Sequence, residues 1–144
     1  MDPDKGATRL VRDQRGVVAV EFAIIAPIVL LILVGVIQFG IVYSQYQVLQ
    51  GAAREGARCA SVQAGGFSTC NVTTAVQNAA LGYDLTNTPG VSVDGGGTAC
   101  TNLTRGRNVT VSWEQTFEMG ALFRMVPGLP GTVDATISGT FRCE

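Results

Sequence analysis

The feature that most constrains this chain is a long stretch without charge near its N-terminus. Residues 22–53 contain no Asp, Glu, Lys or Arg, and fifteen of residues 22–42 are Leu, Ile, Val or Phe. At about −0.3 to −0.6 kcal/mol each, these side chains contribute roughly −5 to −9 kcal/mol to insertion into a bilayer. A hydrocarbon core about 30 Å thick needs ~20 helical residues, and a helix of a soluble domain is seldom apolar on every face for so long. The sequence therefore predicts a transmembrane helix at residues 17–43.

The charges on either side of this helix predict its orientation. Basic residues precede it and are absent for some distance after it, so the positive-inside rule places the N-terminus in the cytoplasm and residues 44–144 outside. A cleaved secretory signal peptide has a shorter apolar core that ends in a small-residue cleavage site, which this stretch lacks. We therefore expect a single-pass protein of the inner or cell membrane with a cytoplasmic leader at residues 1–16. The leader's basic residues are Lys5, Arg9, Arg12 and Arg15.

All four cysteines lie in the part of the chain that is expected to be exported. An even number confined to that part predicts two disulfides, and the gaps are too wide and uneven for the close pairs of a zinc site. Four cysteines allow three connectivities, between which spacing alone does not choose. We favour one bridge that closes a short loop at the end of the long helix and one that ties a Gly-rich hairpin to the last strand. These bridges are Cys59–Cys70 and Cys100–Cys143.

The exported part changes from helical to alternating periodicity along its length. Small residues at spacings of three and four extend the first helix to about residue 62, and residues 73–81 predict a short helix capped by Asn71 or Thr73. Beyond Pro89, apolar and polar residues alternate at 91–93, 109–117 and 133–141, which is typical of half-buried antiparallel strands. Residues 118–131 between the last two strands are expected to fold back on the base of the long helix, or to contact a subunit or the membrane.

These elements define the expected fold class, which is α+β. A long N-terminal helix, with a transmembrane half and an exported half, packs on a small antiparallel sheet with one short helix. In the last predicted strand, at residues 133–141, the parity of the apolar residues places Cys143 on the core side. The domains expected are therefore the leader at 1–16, the transmembrane helix at 17–43 and the exported domain at 44–144.

Composition excludes several classes of function. The chain has no histidine, a formal net charge of −1 and only 15% charged residues, so it offers no basic surface for nucleic acid. It also lacks the commonest general base and metal ligand, a G-x-S-x-G motif and any recognisable carboxylate pair. We expect no enzymatic activity, no metal and no cofactor.

One charged residue, Glu21, lies at the edge of the apolar stretch. A carboxylate near the hydrocarbon is costly and is usually retained for function. Alternatively, Glu21 is shallow enough to reach the interface and only marks the start of the helix, where carboxylates are favourable.

Three motifs together resemble a known family. Gly16 followed, after four residues, by Glu21-Phe22 and a proline-containing apolar span resembles prepilins of the tight-adherence (Tad, or Flp) pilus, a type IV pilus system. The string GAAREGARCAS at residues 51–61 resembles the AAREGAR-type signature of TadE-like minor pilins. Gly40 within IQFGIVY is similar to an aromatic-glycine element of such proteins.

The resemblance implies a pilin-like fold and a role for each motif residue. An intramembrane aspartyl prepilin peptidase would cut between Gly16 and Val17, and Glu21 would then pair with the new N-terminal amine of a neighbouring subunit, with Phe22 beside it. Small residues let helices approach closely, so we also expect contacts between subunits along the helix. The small residues expected to make them are Gly35, Gly40, Gly51, Ala52 and Gly56.

The leading hypothesis is a minor pilin or pseudopilin, a structural or assembly component of a Tad-type pilus. Its expected partners are the prepilin peptidase, other pilin subunits, the pilus assembly machinery and the lipid bilayer. The alternative is a membrane-anchored extracellular binding module whose transmembrane helix is a passive tether. An anchored hydrolase would need a nucleophile and a base that the sequence does not present.

Overall fold

The computed structural model describes residues 4–65, 70–124 and 127–144, and within them it confirms the α+β arrangement. In these residues the helices are α1 (Asp4–Ser61), α2 (Val72–Ala79) and α3 (Ala121–Arg124), with a 3₁₀ turn at Val62–Gly65 after α1. The strands are β1 (Gly90–Val93), β2 (Asn108–Glu118) and β3 (Thr132–Arg142). The chain divides into two compact units, Met1–Phe39 and Gly40–Glu144.

Helix α1 is continuous through Pro27 and ends at Ser61, close to the residue predicted. The first unit consists of the N-terminal part of this helix, and its large apolar side chains from Val17 to Phe39 are exposed, except that of Val34, which is half-buried. In the second unit, Leu49 and the small residues that follow it are buried. The side chains of leader residues 1–15 lie outside the described residues.

Helix α2 begins at the predicted cap. The Oδ1 atom of Asn71 accepts a hydrogen bond from the backbone N–H of Thr74 at 3.2 Å, which satisfies one of the unpaired donors at the start of a helix. The helix ends at Ala79, two residues earlier than predicted, because Leu81 and Gly82 take positive φ angles of 53° and 88° and turn the chain away.

The sheet is antiparallel with β2 at its centre. Val93 of β1 pairs with Val109 of β2, and Trp113 of β2 pairs with Ile137 of β3, so apolar residues of all three strands share one face. All four alternating apolar residues predicted in β2 are buried: Val109, Val111, Trp113 and Phe117. The three predicted strands are therefore confirmed.

Strand β3 departs from the prediction at both ends. Ile137 and Cys143 are buried as expected, but Val133 and Phe141 are 36% and 41% exposed. The reason lies at Gly139, where a Cβ atom would collide with the backbone of Ala53. Helix α1 thus packs directly on the middle of β3, and the apolar residues at the two ends of the strand extend beyond that contact.

A buried polar residue, Gln115, holds an irregular segment against the part of β2 that β1 does not reach. Its Oε1 accepts hydrogen bonds at 3.1 Å from the indole N–H of Trp113 and from the backbone N–H of Thr86, and its Nε2 donates to the carbonyl of Asp84 at 3.2 Å. Asn87 also donates to the carbonyl of Glu114 at 2.8 Å. These bonds place residues 83–87 alongside the end of β2.

The connection between β2 and β3 contains a short helix, α3, that the sequence pattern does not predict. Arg124 in α3 makes an ion pair of 2.9 Å with Glu118, and the backbone N–H of Met119 donates to the carbonyl of Gly131 at 2.9 Å, which closes the base of the connection. Met125 and Val126 lie outside the described residues. The expected packing of this connection on the base of the long helix stays a prediction.

Candidate functional site

The motif at the start of the apolar stretch lies within helix α1. Gly16 is helical and exposed, and a Cβ atom added there would meet nothing within 4 Å. The packing of the described residues therefore does not explain why this residue is glycine. Glycine within a helix costs about 0.5–1 kcal/mol relative to alanine, so it makes α1 easier to unwind at this point. Val17, the next residue, is also exposed.

Glu21 is the sole charged residue between Val17 and Ala53. It is exposed, as is Phe22 beside it, and it follows Val17 by four residues, which places the two on the same face of the helix. In the part of the chain that the structure describes, Glu21 forms no ion pair. The carboxylate therefore lies in an apolar surface without a cationic partner from the described residues of its own chain.

Helix α1 is the one helix in the described residues that is long and apolar enough to cross a membrane. This observation rests on the length and composition of the helix. Its large apolar side chains are mostly exposed and not packed against the rest of the described chain. It agrees with single-pass membrane anchoring through the N-terminal helix.

The GAAREGAR string is divided by the helical period into a buried face and an exposed face. Ala53, Gly56 and Ala57 are buried, and a Cβ atom at Gly56 would collide with the side chain of Val76 in α2. The charged residues of the string point the other way and are exposed: Arg54, Glu55 and Arg58. The small residues of this motif therefore let α2 and the sheet pack closely on α1.

This packing corrects one expectation. The sequence pattern assigns Ala52 and Gly56 to contacts with neighbouring subunits, but both are buried within their own domain. The pattern alone does not distinguish a small residue that accepts a neighbouring chain from one that accepts its own sheet. Gly51, in contrast, is exposed, and a Cβ atom added there would meet nothing within 4 Å.

Two glycines of the motif make a matched test of this assignment. Gly51→Ala and Gly56→Ala gain the same helix propensity, about 1 kcal/mol, but only Gly56→Ala crowds a buried contact. Overpacking typically costs about 1–3 kcal/mol, so we expect Gly56→Ala to be less stable than Gly51→Ala by that amount. Guanidinium unfolding of the full chain in detergent, followed by Trp113 fluorescence, measures the difference. Equal stability of the two variants would refute the assignment.

Both disulfides connect the ends of elements in the second unit. Cys59 in α1 is bonded to Cys70 just before α2, and Cys100 is bonded to Cys143 after β3, with Cα–Cα distances of 5.8 and 5.6 Å. This is the connectivity favoured from the sequence. The backbone N–H of Gly106 donates to the carbonyl of Cys143 at 2.8 Å, so the second bridge also fixes the turn before β2. The described residues contain no group of three side chains suited to a metal ion.

A cleft of about 230 Å³ lies between α1, residues 83–84 and the end of β2. Its two charged residues, Asp84 and Glu118, are both acidic, and Tyr83 and Phe117 supply aromatic surface. The sequence motifs do not predict this cleft. One feature of the sequence marks it, since Gln115 occupies a position in β2 that the alternating pattern assigns to an apolar residue. The remaining lining residues are Gln45, Leu49 and Thr116.

Comparison with known protein families finds a match to part of the chain. The family model of TadE-like proteins matches residues 16–58, from the glycine of the first motif to the last arginine of the GAAREGAR string. The match confirms the resemblance to TadE-like proteins over these residues and supports a protein associated with the Tad pilus. No curated protein and no solved structure matches the chain.

Proposed function

We propose that this chain, whose residues 16–58 match TadE-like proteins, is a minor pilin or pseudopilin of a Tad-type pilus. The observation that carries the proposal is the position of Glu21. It is the one charge on an otherwise apolar, exposed helical surface, and it follows a glycine that no contact among the described residues requires. A passive tether needs neither feature. Both suit a helix that is processed at its start and then packed against other helices.

Processing is the first step of the proposal. A prepilin peptidase at the cytoplasmic face of the membrane cuts the peptide bond between Gly16 and Val17 and removes the basic leader. A protease must bind its substrate in an extended conformation, and a helical glycine lowers the free energy needed to unwind α1 there. The product begins with the free amine of Val17.

Assembly through Glu21 is the second step. A carboxylate and an ammonium group 4 Å apart attract by about 4 kcal/mol at an effective dielectric constant of 20. Each of them would be a costly unpaired charge in hydrocarbon, so pairing between packed helices favours one register over others. Glu21 acts here as a residue that sets register, with Phe22 in the same contact region, and the chain is a substrate of the peptidase and not an enzyme.

The alternative is a binding module for which the transmembrane helix is a tether only. Deleting the gene in cells that make Tad pili distinguishes the two. We expect deletion to lower the number of pili per cell by at least tenfold, and expression of the wild-type chain to restore it. Normal pili after deletion, counted by electron microscopy, would refute the proposed function and favour the binding module.

A further inference from the structure

We propose that the acidic cleft of one subunit binds Arg54 of a second copy of this chain. This inference rests on the proposed function, because it names the surfaces through which assembled subunits meet outside the membrane. It concerns the second unit alone, and it assigns a role to Arg54, an exposed charge of the GAAREGAR string that forms no ion pair among the described residues.

The cleft has the chemistry of a site for an arginine side chain. Both of its charged lining residues are carboxylates, and within the described part of the chain Asp84 forms no ion pair. Glu118 is already paired with Arg124 at 2.9 Å, so Asp84 is the main acceptor. The ring of Tyr83, which is 39% exposed, offers a face on which a guanidinium group stacks.

Arg54 is the arginine on the exposed face of α1 that is assigned to this site. It takes part in neither of the two ion pairs of the described residues, whereas Arg58 lies 3.8 Å from Glu55 of its own helix. Arg107 and Arg142 are also exposed, but they donate hydrogen bonds to the backbone carbonyls of Asp94 and Gly106, and Arg105 lies in the turn before β2. Charges of opposite sign on two separate surfaces of the same chain favour association of two copies and select its register.

Gly51 provides an independent indication that the face of α1 bearing Arg54 is covered. It lies three residues before Arg54, so the two are neighbours on the helix surface. A glycine in the middle of an exposed helix destabilises it, and here no contact within the described chain requires one. A neighbouring subunit that receives Arg54 passes next to Gly51, where the missing side chain leaves room for it.

The proposed contact is asymmetric and therefore repeats. The helix residues that line the cleft, Gln45 and Leu49, lie about seven residues before Arg54 along α1. At 1.5 Å per residue, parallel copies are offset by roughly 10 Å along the helix. Because the two surfaces differ and the offset is not zero, each copy presents an unused Arg54 or an unused cleft to another copy. Such a contact builds an open filament and not a closed dimer.

The lysine content of the chain gives a direct test. Its one lysine is Lys5, so Arg54→Lys introduces an amine into a domain that otherwise has none. A carbodiimide, which couples amines to carboxylates without a spacer, is added to native membranes that contain a mixture of isotope-labelled and unlabelled Arg54→Lys chains. We expect a mixed-isotope peptide that joins position 54 to Asp84 or Glu118, and at least a fivefold loss of it when Asp84→Asn is added.

A matched control introduces the same amine elsewhere. Arg105→Lys changes an exposed arginine in the turn before β2, distant in sequence from α1, and we expect at least tenfold less mixed-isotope product from it. A yield for Arg54→Lys no higher than that of Arg105→Lys, or coupling only to Glu55 of the same chain, would overturn the inference.

Failure of this contact and failure of the proposed function give different results. If the contact is wrong, coupling fails while deletion of the gene still removes pili. Charge exchange gives a second readout: Arg54→Asp should lower incorporation into sheared pili at least tenfold, and Arg54→Asp with Asp84→Arg should restore most of it. Both residues are exposed, so neither change is expected to unfold the domain. No recovery in the exchanged pair would also overturn the inference.

Discussion

Glu21→Gln is expected to leave expression and membrane insertion intact and to lower the equilibrium constant for assembly by more than a hundredfold. The substitution keeps the size and polarity of the side chain but removes its charge. It thereby leaves the amine of a neighbouring Val17 unpaired in an apolar site, which costs about 3–5 kcal/mol when one partner of a buried pair is removed. Since about 1.4 kcal/mol corresponds to a tenfold change, the loss should be evident from the number of pili per cell.

Two controls separate this effect from a general loss of charge. Glu114→Gln makes the same change on an exposed residue of β2 and is expected to be neutral. Blocking cleavage by substitution of Gly16 should mask the effect of Glu21→Gln, because the amine exists only after cleavage. Defects of the two substitutions that simply add would contradict the pairing, and normal pili with Glu21→Gln would favour a carboxylate that only marks the start of the helix.

Removal of the Cys100–Cys143 disulfide is expected to lower the free energy of unfolding of the second unit by about 4 kcal/mol. This bridge closes a loop with a sequence separation of 43, and chain-entropy arguments assign a larger effect to longer loops. The bridge also fixes the start of β2, because the N–H of Cys143 donates to the carbonyl of Arg107 at 2.8 Å. The double variant Cys100→Ala, Cys143→Ala avoids a free thiol, and guanidinium unfolding in detergent followed by Trp113 fluorescence measures the change.

The other disulfide is the matched control. Cys59–Cys70 has a sequence separation of 11, for which the same argument gives about 3 kcal/mol, so Cys59→Ala with Cys70→Ala should be the milder of the two double variants. Four free thiols in the native protein, or a larger loss for the shorter loop, would contradict this account of what stabilises the domain.

Local patterns in the sequence predict most of the fold. The uncharged stretch indicates α1, the polar side chain of Asn71 indicates the start of α2, and alternation indicates all three strands, since each pattern depends on the period of its own element. The parity of β3 likewise directs Cys143 to the core, although it does not select Cys100 as its partner. These features do not depend on which surface each element meets.

Features that depend on a second element are not predictable in this way. The stripe of small residues that includes Gly56 indicates that another element packs closely on α1. Only the structure shows that this element is α2 together with the sheet. Likewise, the alternation of apolar and polar residues in β3 continues to Phe141. Helix α1 does not pack over this end of the strand, so Phe141 is exposed. The cleft depends on Gln115, whose hydrogen bonds reach back about thirty residues to Asp84 and Thr86.

The N-terminal residue of the protein in its native membrane tests the central claim most directly. Intact-mass spectrometry of the chain purified from cells that have the prepilin peptidase should give the mass of residues 17–144, with or without one methyl group on the amine of Val17. Cells without the peptidase should give the full chain with its leader. A mass that retains residues 1–16 in peptidase-containing cells would contradict the account, because the amine with which Glu21 is proposed to pair would then not exist.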